Sequence, residues 1–93
     1  MPLVPRARDH LLSSMSPTVL RAGGYRFFFF SREETRMHVH VYHDEGEAKY
    51  WLEPDLELAT STGLSQRRLA QVRRLIEENE DAIREAWTRH FGR

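Results

Sequence analysis

The chain contains no cysteine among its 93 residues. This absence excludes disulfides, cysteine-ligated metal centres, iron–sulfur clusters and cysteine nucleophiles. No apolar run approaches the roughly 18 residues that a membrane span requires, and the first residues lack the apolar segment of a secretory signal. We therefore expect a cytoplasmic protein that has no membrane partner.

Motifs that cradle phosphate or build a hydrolase site are missing as well. The pair Gly23-Gly24 lacks the lysine and the following helix of a P-loop. Neither a Gly-x-Ser-x-Gly nor a His-Glu-x-x-His sequence occurs. The sequence therefore predicts no cofactor, and it leaves histidine as the leading side chain for any chemistry.

The composition indicates one small folded domain with segregated charge. Aromatic residues make up 11% of the chain, which is too many for a disordered segment. The net charge is zero, but residues 1–36 carry six Arg and three acids, for +3. Residues 37–64 carry one Lys and six acids, for −5, and residues 65–93 carry seven Arg and five acids, for +2. A zero total argues against a general nucleic-acid coat, although two basic ends flank an acidic centre.

Residues 1–15 form a predicted flexible leader, and residues 16–93 form a predicted single α+β domain. The hydrophobic pattern predicts four or five strands, over residues 18–21, 25–30, 38–43, 47–52 and 56–59. Gly23-Gly24 supplies the positive φ angles of a tight hairpin turn, and Gly46 is expected to form a bulge in the next hairpin. Successive strands joined by short turns predict a mainly antiparallel sheet.

A helical pattern fills the C-terminal third of the chain. Ser65 is a good N-cap, and apolar residues then recur at helical spacing from Leu69 to Phe91. The apolar stripe is interrupted around residues 78–80, where we expect a bend or a break. The fold predicted is α+β, a small antiparallel sheet of four or five strands packed by a C-terminal helix or helix pair.

The alternating segment His38–His43 carries the most informative local feature. Since side chains two apart on a strand share a face, His38 and His40 lie together and are the candidate catalytic residues, as acid and base. With a bulge at Gly46, Tyr42 and Tyr50 join this face as candidate binding residues. No carboxylate of the hairpin joins them, so no metal site is predicted. The alternative is a pair of half-buried imidazoles with structural hydrogen bonds.

Which face of this hairpin forms the core stays open at the sequence level. One face holds Val39, Val41 and Trp51, and the other holds the two histidines with Tyr50 and Leu52. If the valine face packs on the helix, the histidines face outward and a functional role is favoured. The opposite packing buries them and favours a structural role.

The start of the predicted helix is unusually basic. Arg67, Arg68, Arg73 and Arg74 precede any acid there, against the helix macrodipole. Together with Arg26, the candidate binding residues are therefore Arg67, Arg68 and Arg74, which suit RNA, DNA or an acidic protein. The alternative is a solvated helix face that is neutralised by the acidic stretch from residue 44 to residue 57.

Several motifs together resemble a known bacterial family, domain of unknown function 4160. They are Pro-Thr-Val-Leu-Arg at residues 17–21, Gly-Gly-Tyr-Arg-Phe-Phe-Phe at 23–29, His-Val-His-Val at 38–41, Glu-Ala-Lys-Tyr-Trp-Leu at 47–52, Glu-Ala-Trp at 85–87 and Phe-Gly at 91–92. The resemblance spans residues 16–92. It departs at Thr35-Arg36-Met37, where the family carries an acidic residue and two prolines.

The resemblance implies a place in a two-protein system. Members of this family are often encoded beside another small domain, the family of unknown function 2442, in an arrangement similar to a toxin–antitoxin pair. It therefore implies a toxin-like protein that acts through His38 and His40 and is neutralised by a small antitoxin-like protein encoded nearby.

Two hypotheses about activity follow. In the first, the chain is a His-dependent nuclease-like toxin in which one imidazole is the base and the other the acid, and Arg26, Arg67 or Arg68 holds phosphate. In the second, it is a non-catalytic adaptor that binds protein or nucleic acid through the arginine-rich helix and the phenylalanine-rich strand. A third hypothesis, without an activity of its own, is a plain structural subunit of a small complex.

Overall fold

A computed structural model describes residues 18–30 and 35–93 of the chain, so the predicted leader lies outside the described residues. Five strands are followed by two helices, which confirms the predicted α+β fold. The elements are β1 (Thr18–Ala22), β2 (Tyr25–Phe28), β3 (His38–His43), β4 (Gly46–Trp51), β5 (Glu57–Thr62), α1 (Gln66–Glu78) and α2 (Glu80–Phe91).

The five strands form one antiparallel meander in the order β1-β2-β3-β4-β5. The first hairpin turns at Gly23 and Gly24, whose φ angles of 59° and 83° suit a primed turn and are disfavoured for other residues. β5 is longer than the sequence pattern predicts, and β2 ends two residues earlier. The predicted turn itself is confirmed.

The register of the second hairpin differs from the prediction by one residue. Its turn contains only two residues, and Gly46 is the first residue of β4, opposite His43. Gly46 is required there for another reason, since a Cβ atom would overlap the carbonyl oxygen of Thr62 in β5. His40 therefore lies opposite Lys49 and not Tyr50. A slip of one residue moves every side chain of the partner strand to the other face.

Both helices pack on the face of the sheet that carries Val39 and Val41. With the corrected register, this face joins the valines to Tyr50 and Leu52, and it forms a continuous apolar surface. The remaining buried core residues on the sheet and helices include Tyr25, Phe27, Phe29, Ala48, Leu69, Val72, Ile76, Ile83 and Trp87. The sequence does not decide which face of the second hairpin forms the core, and the structure shows that it is the valine side of β3.

The helix pair is divided at Asn79, which confirms the predicted break. Ser65 caps α1 by accepting a hydrogen bond from the Arg68 backbone nitrogen at 3.1 Å. Asn79 ends α1, and its side-chain amide donates to the Leu75 carbonyl at 2.8 Å. Gly92 ends α2 in the left-handed conformation. The break lets two short helices fold back over one small sheet.

Arg84 connects α2 to the end of β4. Its guanidinium donates to the Leu52 carbonyl at 2.7 Å and to Glu53 Oε2 at 3.1 Å. It also donates to Glu80 Oε2 at 2.9 Å within the helix. This partly exposed arginine therefore fixes the second helix against the sheet, a role that the sequence pattern does not indicate.

Candidate functional site

The outer face is the side of the sheet opposite the two helices. Strand alternation and the observed register bring polar, aromatic and basic side chains of β2, β3 and β4 together there. Its residues are Arg26, Phe28, His38, His40, Tyr42, Glu47, Lys49 and Trp51. A carboxylate of the hairpin, that of Glu47, therefore does join the histidine face, and this part of the prediction is wrong. Both candidate catalytic histidines thus lie on the face that does not carry the apolar core.

His38 is the most enclosed residue of the outer face. Its side chain has 0% of its surface exposed, and Nδ1 lies 2.7 Å from the Arg36 carbonyl oxygen. Because a carbonyl only accepts, Nδ1 carries the proton and the tautomer is fixed. The ring also packs edge-on against Trp51 at 5.4 Å and Trp87 at 5.3 Å, measured between centroids. His38 therefore holds the end of β3 against both layers of the fold.

His40 is half-buried and lies at the centre of an aromatic cluster. Its ring stacks on Phe28 at 5.4 Å with an interplanar angle of 26°. It meets Phe30 edge-on at 4.4 Å and His38 at 5.0 Å. The two imidazoles are in contact, but only His40 is partly accessible from the outer face. This arrangement therefore does not provide two accessible imidazoles for an acid–base mechanism.

Cations lie over aromatic rings across the outer face. The Lys49 ammonium is 4.3 Å from the Trp51 ring centroid, and the Arg36 guanidinium is 4.2 Å from the same centroid. The Arg26 guanidinium lies 4.5 Å from the Phe28 centroid. Such contacts place positive charge and π surface side by side, and each contributes about 0.5–1 kcal/mol at an exposed site. The outer face is therefore aromatic and carries several cations, with the carboxylates of Glu47 and Glu57 on the same side of the sheet.

Two aromatic side chains are openly exposed in this region. Tyr42 has a relative exposure of 50%, and Phe30 has one of 45%. Tyr42 lies between Arg26 and Glu47 on the neighbouring strands. Exposed rings at two edges of an aromatic cluster offer stacking surfaces to a planar ligand.

Tyr50 does not share the face of the histidines, so this part of the prediction is wrong. The residue is 2% exposed, and its hydroxyl donates to the Leu69 carbonyl at 3.1 Å in the core. Burial raises the pKa of Tyr50 above its usual value. The physical reason is that the turn contains only two residues, so each side chain of β4 lies on the face opposite to the predicted one.

The basic residues of α1 lie on the helix side of the sheet, away from the histidines. The Arg68 guanidinium donates hydrogen bonds to both carboxylate oxygens of Glu45, at 2.8 and 3.2 Å, and to the Tyr25 hydroxyl at 3.3 Å. The hydrogen bond from Arg68 and its charge lower the pKa of Glu45. Neutralisation of the helix by the acidic stretch is therefore observed for Arg68. Arg67 and Arg74 are exposed.

The structure thus separates the candidate phosphate-binding residues. Arg26 shares the outer face with the histidines, whereas the sheet separates them from Arg67 and Arg68. Arg67 lines a cavity of about 340 Å³ together with Glu45, Ser65, Arg68 and Gln71. Within residues 18–30 and 35–93, no three histidine or acidic side chains come close enough to hold a metal ion.

Lys49 and Trp51 are outer-face residues that the sequence reasoning placed on the opposite face from the histidines. Their spacing of two residues matches that of His38 and His40, and each lies opposite one of them. That spacing could have identified them, but only with the correct hairpin register.

A comparison with family models finds one match, over residues 24–88 and therefore more than half of the chain. The matching model is described as "Domain of unknown function (DUF4160)". No curated protein and no solved structure matches the chain. The matched range includes every residue of the outer face. In the part of the chain that the structure describes, neither helix has the length and apolar character to cross a bilayer.

Proposed function

This chain belongs to the DUF4160 family, and we propose that it is a toxin-like cytoplasmic protein that binds single-stranded RNA on its outer face. The observation that supports this proposal is that two short motifs, His-x-His at residues 38–40 and Lys-x-Trp at residues 49–51, lie side by side on the outer face. His38 lies opposite Trp51, and His40 lies opposite Lys49. The two histidines, Lys49 and Trp51 consequently share one surface.

Single-stranded RNA fits the chemistry of this surface. Proteins bind unpaired strands with aromatic rings on which bases stack and with cations that follow the phosphates. Tyr42 and Phe30 are the exposed rings. Arg26 lies opposite Tyr42 and over the Phe28 ring, and Lys49 lies over the Trp51 ring. Double-stranded nucleic acid suits the face less well, because stacked bases do not offer their π surfaces.

The toxin-like part of the proposal rests on the family resemblance, and the two histidines are the residues considered for the activity. RNA held on the outer face passes over the partly exposed ring of His40, whose Nε2 atom lies buried beneath the surface. Of the two imidazoles, His40 is the candidate for proton transfer. His38 is a positioning residue that fixes the strand beneath it. A small antitoxin-like partner would neutralise the protein by covering the same surface.

Fluorescence anisotropy with a labelled single-stranded RNA tests the binding proposal. We expect Lys49→Gln to weaken binding and to reduce the slope of log affinity against log salt by about 0.7, the value for one phosphate contact on a single strand. Tyr42→Ala should weaken binding about 5- to 150-fold, which corresponds to 1–3 kcal/mol for one stacked base. Arg74→Gln removes one charge from the helix side and is the matched control.

Three outcomes would contradict this assignment. Unchanged affinity in both outer-face variants removes the outer face as the binding surface. A loss confined to Arg67→Gln and Arg74→Gln supports the adaptor hypothesis, in which the arginine-rich helix makes the contact. Absence of RNA binding by the wild-type chain at low salt overturns the RNA proposal.

Expression in bacteria tests the toxin-like part separately. Wild-type chain should slow growth, and a folded Tyr42→Ala variant should do so less. RNA that is cleaved by the wild type but not by folded His40→Ala indicates a nuclease, whereas binding without cleavage indicates action by capture. Normal growth with abundant folded wild-type protein would overturn the toxin-like assignment and leave the binding assignment standing.

A further inference from the structure

The outer face continues into a groove between the two hairpin turns. The groove has a volume of about 360 Å³, and its walls come from the β1–β2 turn and from the end of β3. That volume is within the range of about 300–1,000 Å³ that small-molecule sites occupy. The groove residues that bear on binding are Arg21, Gly24, Tyr42, His43 and Asp44.

His43 presents a fixed hydrogen-bond donor to this groove. Its Nδ1 accepts a hydrogen bond from the Glu45 backbone nitrogen at 3.0 Å, so the neutral ring carries its proton on Nε2. Nε2 lies 3.7 Å from the place where a Cβ atom of residue 24 would stand. The ring is held against Tyr25 at 4.9 Å between centroids. Among residues 18–30 and 35–93, nothing accepts a hydrogen bond from Nε2.

Arg21 supplies positive charge at the same place. It lies directly opposite Arg26 on the neighbouring strand, an arrangement of like charges that costs stability. The Arg26 guanidinium turns toward Phe28 and Thr18, since it lies over the ring and donates to Thr18 Oγ1 at 2.7 Å. Arg21 is exposed, and no acidic side chain of the described ranges forms an ion pair with it.

We infer that this groove binds one nucleotide unit, with its phosphate between Arg21 and the Nε2–H of His43. Tyr42, which is exposed at the rim, stacks on the base. The Asp44 carboxylate accepts hydrogen bonds that ribose hydroxyls or base amino groups donate. This inference rests on the proposed function, because the groove is then the end of the surface over which the RNA strand passes.

Gly24 keeps the groove open. Its φ angle of 83° is disfavoured for residues with a side chain, and a Cβ atom there would stand against the His43 ring. The absence of a side chain at this turn leaves room for a phosphate to approach the imidazole edge. The same turn that ends the hairpin therefore also shapes the binding groove.

Titration of the isotope-labelled chain with adenosine 5′-monophosphate, adenosine and inorganic phosphate, followed by NMR, tests the inference. We expect the monophosphate to shift the amides of the two turns and to bind more tightly than either fragment. Arg21→Gln and His43→Gln should each weaken its binding about tenfold or more, while Arg89→Gln, an exposed change on α2, should leave it unchanged. Lys49→Gln should weaken long RNA but not the mononucleotide.

The results separate this inference from the proposal on which it rests. If long RNA binds through Lys49 but the monophosphate shifts no amide of the two turns, the groove is not a nucleotide subsite and the inference fails alone. If the monophosphate binds in the groove but long RNA does not bind, the proposed RNA function fails. Equal affinity for inorganic phosphate and the monophosphate overturns the assignment of the base to Tyr42.

Discussion

Removal of the His38 side chain should destabilise the protein more than removal of its neighbour His40. Substitution to alanine leaves the Arg36 carbonyl without the donor that now lies 2.7 Å away, at a cost of about 1–3 kcal/mol. It also deletes ring contacts with Trp51 and Trp87, each worth about 0.5–1.5 kcal/mol. We therefore expect a loss of about 2–6 kcal/mol, comparable with other large-to-small changes in cores.

Urea unfolding followed by circular dichroism measures this loss. His38→Asn is the matched variant, because its side-chain amide can still donate to the Arg36 carbonyl; it should recover about 1 kcal/mol or more of the loss. His40→Ala removes ring contacts with Phe28 and Phe30 at a half-buried position and should cost about 1–3 kcal/mol. If His38→Ala costs no more than His40→Ala, the structural role assigned to His38 is wrong. A stability change of this size also means that activity lost in His38→Ala is interpretable only in folded protein.

Three further predictions concern other parts of the fold. Arg68 lowers the pKa of Glu45, so this ion pair stabilises the folded state at pH values above the ordinary carboxyl pKa. The stabilisation disappears as the pH falls through the lowered pKa of the folded state. Glu45→Gln should therefore flatten the acid limb of a pH–stability curve, and an unchanged limb would contradict the pairing. Burial raises the pKa of Tyr50, so its contribution to the free energy of unfolding is present below the pKa of the unfolded state. That contribution is lost as the pH rises through the raised pKa of the folded state. Tyr50→Phe should flatten the alkaline limb and cost about 1 kcal/mol at neutral pH through the lost bond to the Leu69 carbonyl. Gly46→Ala should cost about 1–3 kcal/mol by overpacking against the β5 backbone, and a variant as stable as wild type in thermal unfolding would refute that close contact.

The periodic parts of the fold could be predicted from the sequence. Alternation fixed the bounds of β3, and the paired glycines at residues 23 and 24 marked their hairpin turn correctly. The gap in the apolar stripe around Asn79 located the division of the helices. These features depend on neighbouring residues, which a single sequence displays directly.

The hairpin register and the faces of β4 could not be obtained in the same way. Asp44-Glu45-Gly46 is compatible with a two-residue turn and with a turn that includes a bulge, and the choice depends on which face of β4 packs in the core. Lys49 and Trp51 were therefore placed away from the histidines, and Tyr50 was placed with them. The role of His43 was also missed, because its donor is fixed by a backbone contact at Glu45 and its groove by the distant Gly24.

The meander order of the strands has a consequence for synthesis on the ribosome. Each strand pairs with its neighbours in sequence, so the sheet can form from contacts that close short loops, which favours rapid folding. The helices that cover its apolar face emerge last, and Trp87, which closes over Phe29 and His38, emerges near the end. A nascent or truncated chain without α2 therefore exposes an aromatic sheet surface that is prone to aggregate.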